Sequence, residues 1–199
     1  MKSWVSSVLS RLSKTARTRL QQAERLDSAR RQKTLRLEFL EDRRQLAPGD
    51  VSLVGNDLLA EGTPGDDIII ISQTDGGLYL ARINEEQFGP FDVPGIFRVL
   101  GDAGNDVIVI NNSTLNANID GGPDNDYIFG SLGNDTIVGG LGSDQINASE
   151  GNNTVWGDEL NQQAANTGSF DVISTMGGDD IVYGGGGNDR IKLGLGNDY

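Results

Sequence analysis

The chain has neither cysteine nor histidine among its 199 residues. These absences exclude a disulfide framework, a thiol nucleophile, a Ser-His-Asp triad and a zinc site of the usual nitrogen and sulfur kind. No apolar run of about 18 residues occurs either, so the sequence predicts no membrane-spanning helix. Any metal ion that binds must therefore be held by oxygen atoms.

Basic and acidic residues are unevenly distributed along the chain. Residues 1–50 hold 12 Lys and Arg against 6 Asp and Glu, whereas residues 51–199 hold 4 against 23. A compact region with so large a negative charge repels nucleic acid and also repels itself unless cations bind to it. We therefore expect divalent cations, and no nucleic acid, as partners of the acidic region.

Residues 1–48 form a basic N-terminal extension. Apolar residues recur every three or four positions, beginning with Val5, Val8 and Leu12, which predicts an amphipathic helix. The alternative is a solvated, partly disordered extension. All charged residues up to Ala23 are basic, which suits an anionic surface such as lipid headgroups. Binding to a membrane surface through this extension is therefore one hypothesis.

A short motif lies at the end of this extension. Residues 37–46 read Leu-Glu-Phe-Leu-Glu-Asp-Arg-Arg-Gln-Leu. They resemble the LE-x-L-E-x-R-x-x-L segment found near the start of many large bacterial exported and surface proteins, which implies a targeting role. The alternative interpretation is an ordinary amphipathic turn of helix.

The composition changes at residues 47–50, where Pro48 and Gly49 end the helical pattern and β-forming residues follow. Residues 68–72 and 78–83 predict a hairpin, because the Asp-Gly-Gly between them supplies the positive φ of a tight turn. Residues 88–100 predict one or two further strands. We therefore expect residues 49–100 to form a β-rich hairpin region that includes one degenerate copy of the repeat described next.

Residues 101–199 are built on a nine-residue repeat. The clearest copies begin at Gly121, Gly130 and Gly139, and each contains a Gly-rich turn, an aspartate and a short strand with a β-branched residue. Steps of nine from Asp126 reach aspartate at seven of nine positions. Aspartates that only form turns would need no such phase, so the repeat indicates a shared chemical role.

This nonapeptide, G-G-x-G-x-D-x-U-x, resembles the RTX, or haemolysin-type, calcium-binding repeat across residues 101–199. The resemblance implies a parallel β-roll in which two nonapeptides make one turn and each Ca²⁺ ion lies between successive loops of one edge. The residue types agree with it, because glycine can direct backbone carbonyls inward and Ca²⁺ prefers about six to eight oxygen ligands. Out-of-register copies begin at Gly62 and Gly101.

The fold class that we predict is all-β: a calcium-stabilised parallel β-roll over residues 101–199, preceded by the hairpin region and the N-terminal extension. The resemblance implies a set of calcium ligands that combines repeat aspartates, one asparagine and turn glycines. These are Asp106, Asp126, Asp135, Asp144, Asn153, Asp171, Asp180, Asp189, Asp198, Gly122, Gly140, Gly142, Gly185 and Gly187.

The implied spacing also predicts which side chains meet between successive turns. The fully charged pairs are Asp126 with Asp144, Asp171 with Asp189, and Asp180 with Asp198. The half-charged pairs are Asp135 with Asn153, and Asn153 with Asp171. A site at Gln162 should be weak or empty, because no carboxylate stands there.

Two irregularities interrupt the pattern. Residues 159–170 lack a Gly-rich turn while keeping the nine-residue phase, so we expect them to bulge outward as a loop or to replace a turn irregularly. The sequence also stops at Tyr199, inside a repeat, so we expect a roll that is cut short and whose open edge self-associates when calcium binds.

The function that the sequence favours is calcium binding by an exported, non-enzymatic β-roll module. Its expected place is outside the cell or on the cell surface, and its expected role is structural, adhesive or in surface assembly, with a cell-surface or matrix partner. The alternatives are an accessory or truncated module of a secreted exoenzyme or toxin, and a membrane-surface binder. H-E-x-x-H, G-x-S-x-G and G-x-x-x-x-G-K motifs are all lacking, so we predict no enzymatic activity.

Overall fold

A computed structural model describes residues 49–158 and 169–199 of the chain. All the regular secondary structure in these two ranges is β-strand, which confirms the expected all-β class. The N-terminal extension, its motif and Gln162 lie outside the described residues. Within the described ranges, no helix is long and apolar enough to cross a membrane.

The first five strands form antiparallel hairpins. Strands β1 (Asp50–Val54) and β2 (Asp57–Glu61) pair with each other, and β3 (Ile68–Gln73), β4 (Tyr79–Ile83) and β5 (Glu86–Phe91) form a meander. The hairpin predicted around the Asp-Gly-Gly turn is therefore confirmed. Gly77 has a φ of +80° there, and its N–H donates to the carbonyl oxygen of Thr74 at 3.0 Å.

The later strands are short and follow the repeat. They are β6 (Phe97–Leu100), β7 (Val107–Asn111), β8 (Ala117–Pro123), β9 (Tyr127–Phe129), β10 (Thr136–Leu141), β11 (Gln145–Asn147), β12 (Thr154–Trp156), β13 (Val172–Ser174), β14 (Ile181–Tyr183) and β15 (Arg190–Lys192). They alternate between two sheets, as a roll requires. One sheet has the order β1-β2-β6-β8-β10-β12-β14, and the other has β15-β13-β11-β9-β7-β3-β4-β5.

All strand pairs outside the initial hairpins and the meander are parallel in the part of the chain that the structure describes. The parallel stacking begins within the predicted hairpin region, where Leu58 pairs with Phe97, and it continues past residue 100, where Ile69 pairs with Ile108. Strands β2 and β3 therefore stack on the same parallel β-roll as the repeats. The out-of-register copies at Gly62 and Gly101 are turns of this roll.

The core lies between the two sheets and consists mainly of β-branched residues at alternate strand positions. An early strand has two aliphatic side chains that face the core, such as Ile69 and Ile71 in β3. A late strand has one, such as Ile137 in β10. Tyr79 adds an edge-on contact to the buried Phe97, with ring centroids 5.1 Å apart. Apolar burial is thus greatest in the first turns and decreases toward Ile191, which is 43% exposed.

The register changes at the irregular segment. In β11 and β13, Ile146 pairs with Ile173, and in β12 and β14, Val155 pairs with Val182. Both pairs are 27 residues apart, whereas Ile128 and Ile146 are 18 apart. The roll therefore accommodates nine additional residues between Trp156 and Val172. The nine-residue phase is kept, but the expectation that stacked residues are 18 apart is wrong here. Most of the segment 159–170, for which we expect a bulge or an irregular turn, lies outside the described residues.

From this core we expect that the loss of stability on shortening an isoleucine side chain depends on its position along the roll. Ile128→Ala should lower the free energy of unfolding by about 2–5 kcal/mol, because Ile128 is fully buried between the sheets. The matched control Ile191→Ala removes the same atoms at a half-exposed position and should cost much less. Urea denaturation in calcium-containing buffer measures both. Equal losses would contradict this core.

Candidate metal centres

Aspartates stack in a row at one edge of the roll, which we call the first edge, where the turns lead into the eight-stranded sheet. Each aspartate backbone N–H donates to the Oδ1 atom of the aspartate one turn later, at 2.8–3.1 Å. The row consists of Asp67, Asp106, Asp126, Asp144, Asp171 and Asp189. One carboxylate oxygen of each later member is therefore used to hold two turns together.

A corresponding row lies at the second edge, where the turns lead into the seven-stranded sheet. The same backbone-to-side-chain bonds, at 2.8–3.1 Å, connect Ala117, Asp135, Asn153, Asp180 and Asp198 in that order. Asparagine replaces aspartate in the middle of this row and accepts through its amide oxygen. The two edges thus share a backbone arrangement but differ in charge.

The rows bring together most of the pairs that the spacing predicts. Asp126 meets Asp144, Asp171 meets Asp189, Asp180 meets Asp198, and Asp135 meets Asn153, all 18 residues apart. The prediction that Asn153 meets Asp171 is wrong, because Asn153 donates to Asp180, 27 residues away. The nine additional residues after Trp156 move Asp171 to the opposite edge, where it meets Asp144.

The second oxygen of the stacked carboxylates is the chemically distinctive feature. Five of these Oδ2 atoms, in the described ranges, are buried and have no hydrogen-bond partner; they belong to Asp106, Asp126, Asp144, Asp171 and Asp180. The exposed fraction of these five residues is 3% or less. A buried carboxylate oxygen without a donor carries a large desolvation cost. A cation at each of these atoms would remove that cost.

Backbone carbonyls converge on the same atoms. A Cβ built on Gly139 would lie 2.5 Å from Asp144 Oδ2 and would also contact the carbonyl oxygen of Gly157, one turn later. Gly101, Gly121 and Gly157 each have a similar pair of oxygens next to them. Carboxylate and carbonyl oxygens that face one another with no donor between them fit a hard cation such as Ca²⁺.

The five glycines predicted as ligands all lie in these turns. Gly122, Gly140, Gly142, Gly185 and Gly187 have φ values of +106°, +118°, +137°, +96° and +111°. A side chain at Gly140 would collide with the carbonyl oxygen of Gly122, one turn earlier. Glycine is therefore required here both for the left-handed conformation and for close stacking. Direct ligation by these glycines stays a prediction.

The sites are not clusters of acidic side chains. Within residues 49–158 and 169–199, no group of three or more Asp or Glu side chains could hold a metal ion by itself. Each candidate centre instead combines one carboxylate oxygen with backbone carbonyls of the next turn. Such a mixture of ligands is typical of calcium rather than of zinc.

Burial also changes the protonation of these carboxyls. Loss of solvation raises the pKa of Asp126 to about 8 and the pKa of Asp144 to about 7. It raises the pKa of Asp106 and of Asp171 to about 6. Neighbouring aspartates of the row raise these pKa values further, whereas backbone hydrogen bonds lower them. The metal-free row therefore binds protons that a cation must displace.

Sequence reasoning missed two features of these edges. Asp67 begins the first-edge row although it lies outside the regular period. A second set of side-chain bonds runs in the opposite direction through the residues just before the aspartates: the Asn125 and Ser143 N–H groups donate to Asn105 and Asn125 of the preceding turn. The frequent Asn-Asp dipeptide is the sequence signal that could have indicated this second ladder.

The raised pKa values predict that the metal-free roll is more stable at about pH 4 than at about pH 8. Unfolded aspartates ionise near pH 3.8, whereas the buried ones ionise at about 6 to 8. Their stabilising contribution is thus fully present below the unfolded pKa and is lost as the pH rises through the folded values. Urea denaturation in metal-free buffer at several pH values tests this, and Asp126→Asn should weaken the dependence. Stability that rises with pH over this range would contradict it.

Comparisons with known proteins agree with this geometry. The family model described as RTX calcium-binding nonapeptide repeat matches four copies, over residues 115–146 and 166–199. Asp106 and Asn153 lie outside the matched segments, although the structure places them in the same two rows. No curated protein and no solved structure matched the chain. The chain therefore contains RTX calcium-binding nonapeptide repeats at residues 115–146 and 166–199, and these repeats form a parallel β-roll.

Proposed function

We propose that this chain is an exported, non-enzymatic module whose β-roll orders when it binds calcium outside the cell, where it serves a structural, adhesive or surface-assembly role. The observation that carries this proposal is the row of buried Oδ2 atoms without hydrogen-bond partners at the first edge. Cations that neutralise a row of this kind stabilise the roll, and the row therefore couples the fold to the calcium concentration.

The distribution of apolar residues supports coupling between calcium and folding. Strands β9 and β11 to β13 each bury one central aliphatic residue, whereas the early strands bury two. The apolar area buried in the late turns is therefore small compared with the entropy lost when they order. Bound Ca²⁺ supplies the missing stabilisation and neutralises carboxylates that would otherwise repel one another.

The expected affinity supports a function outside the cell. Calcium sites of extracellular modules have dissociation constants of roughly 10⁻⁴–10⁻³ M. Sites of that strength stay empty in a calcium-poor cytosol and fill outside the cell. The late turns of the roll would then remain unfolded during export and order on arrival.

The chemistry of the rows supports a structural role rather than catalysis. RTX repeats are structural elements, and the aspartates of both rows are already engaged in holding neighbouring turns together. A surface or matrix partner and calcium-driven self-association remain predictions from the sequence.

Calcium titration followed by circular dichroism tests the coupling. At neutral pH the β signal should be partial in chelator, with the turns up to about residue 111 retained, and should increase to a plateau with calcium. Asp144→Asn should raise the calcium concentration needed by several-fold, because it removes a charge from a buried oxygen that lacks a partner. The control Asp75→Asn removes the same charge from an exposed hairpin turn and should change nothing. A full β signal in chelator would contradict the coupling.

Protease treatment of intact host cells tests the location. A tagged full-length chain should be found in the medium, or at the surface where added protease digests it. Retention of the intact chain inside the cells, protected from protease, would contradict export while leaving calcium binding unaffected.

A further inference from the structure

We propose that calcium loads one edge of the roll in the middle turns, and that a hydroxyl residue or an asparagine replaces the ion at the opposite edge. This inference rests on the proposed calcium-binding function and concerns which turns bind. It follows from a difference between two kinds of turn, which are distinguished by whether a donor of the turn reaches the aspartate Oδ2 atom.

The first-edge turns before Asp106, Asp126 and Asp144 are open, in that no donor of the turn reaches the aspartate Oδ2 atom. Their second residues are Asp102, Gly122 and Gly140, and all three have a positive φ, of +72°, +106° and +118°. The N–H of Gly140 points to the next turn, where it donates to the carbonyl oxygen of Gly157 at 2.9 Å. No donor of the turn then reaches the aspartate Oδ2 atom, which is why Asp106, Asp126 and Asp144 have unpartnered oxygens.

The turn of residues 130–135 at the second edge is closed. Its second residue is Ser131, which does not have a positive φ, and its N–H donates to Asp135 Oδ2 at 2.7 Å. The Ser131 hydroxyl also lies 2.7 Å from Asp135 Oδ1. Donors thus occupy the position in which the open turns expose a bare carboxylate oxygen.

Thr63 closes an earlier turn in the same manner. Its N–H and its hydroxyl both donate to Asp67 Oδ2, at 2.5 and 2.9 Å, and Thr63 does not have a positive φ either. Two turns, far apart in the chain, therefore combine a hydroxyl residue at the second position with a fully bonded aspartate. In both turns the closing donors come from a hydroxyl residue whose φ is not positive. Ser149, at the same position before Asn153, has a φ of +66°, and its N–H donates to Asn147 Oδ1 instead.

Asn153 replaces the ion by a different route. It is neutral, and its amide nitrogen lies 3.0 Å from the carbonyl oxygen of Gly151 and 3.4 Å from that of Glu150. The amide N–H groups therefore satisfy carbonyls of their own turn, as a cation does in an open turn. The second edge carries two successive substitutes, at Ser131 and Asn153, before the open turn at Asp180.

If calcium binds at one edge only, the turns of the two edges are held together by different interactions. In the folded roll, hydrogen bonds hold residues 130–153 of the second edge without an ion there. At the first edge, the Oδ2 atoms from Asp106 to Asp171 gain a partner only when cations are bound. Calcium then changes the charge of one edge and leaves that of the other unaltered over these turns.

Calcium stoichiometry of engineered turns is the experiment, measured by equilibrium dialysis on the full chain with CaCl₂. Ser131→Gly gives this turn the second residue of an open one and should add one bound Ca²⁺ per chain. Leu132→Gly introduces glycine at an exposed position of the same turn and should leave the number unchanged.

A second gain-of-site variant protects the test against misfolding. Asn153→Asp restores a carboxylate and removes the amide donors, so it should also add one bound Ca²⁺. Circular dichroism at saturating calcium shows which variants are folded. Wild-type stoichiometry in both Ser131→Gly and Asn153→Asp would overturn the proposal. A wild-type chain that binds no calcium would instead overturn the proposed function itself.

Discussion

The roll depends on buried carboxylates that are bonded on one side only. Each aspartate of a row uses Oδ1 to accept a backbone N–H from the turn before it, and this bond sets the distance between turns. In Asp106, Asp126, Asp144 and Asp171, the Oδ2 atom lies near a backbone carbonyl and no donor reaches it. Stacking and cation binding are therefore consequences of one geometry, and an isolated turn would have neither.

This constraint explains the amino-acid usage of the repeat. Glycine is needed where a carbonyl of the neighbouring turn approaches Cα, as Gly122 O approaches Gly140. A β-branched residue is needed two positions after the aspartate, because it is the one side chain of a short strand that faces the core, as Ile137 does. Hydrogen bonds and ions at the edges thus add stability where the buried apolar area decreases along the chain.

The sequence predicted what depends on local periodicity. The nine-residue phase placed Asp126 and Asp144 in contact, and the Asp-Gly-Gly turn placed the hairpin, because both depend on residues close together or regularly spaced. The phase could not show that the roll skips nine residues before Asp171, since that choice depends on which turns stack in space. Nor could it show that Ser131 closes its turn, because Ser149 stands at the same position before Asn153 and has a positive φ.

Anomalous diffraction from crystals grown with calcium tests the central claim most directly, because it locates the ions themselves. The account predicts anomalous peaks beside the Oδ2 atoms of Asp106, Asp126, Asp144 and Asp171, each also in contact with a backbone carbonyl of the following turn. Crystals of the ordered roll that contain calcium but show no peak beside these four oxygens would contradict it.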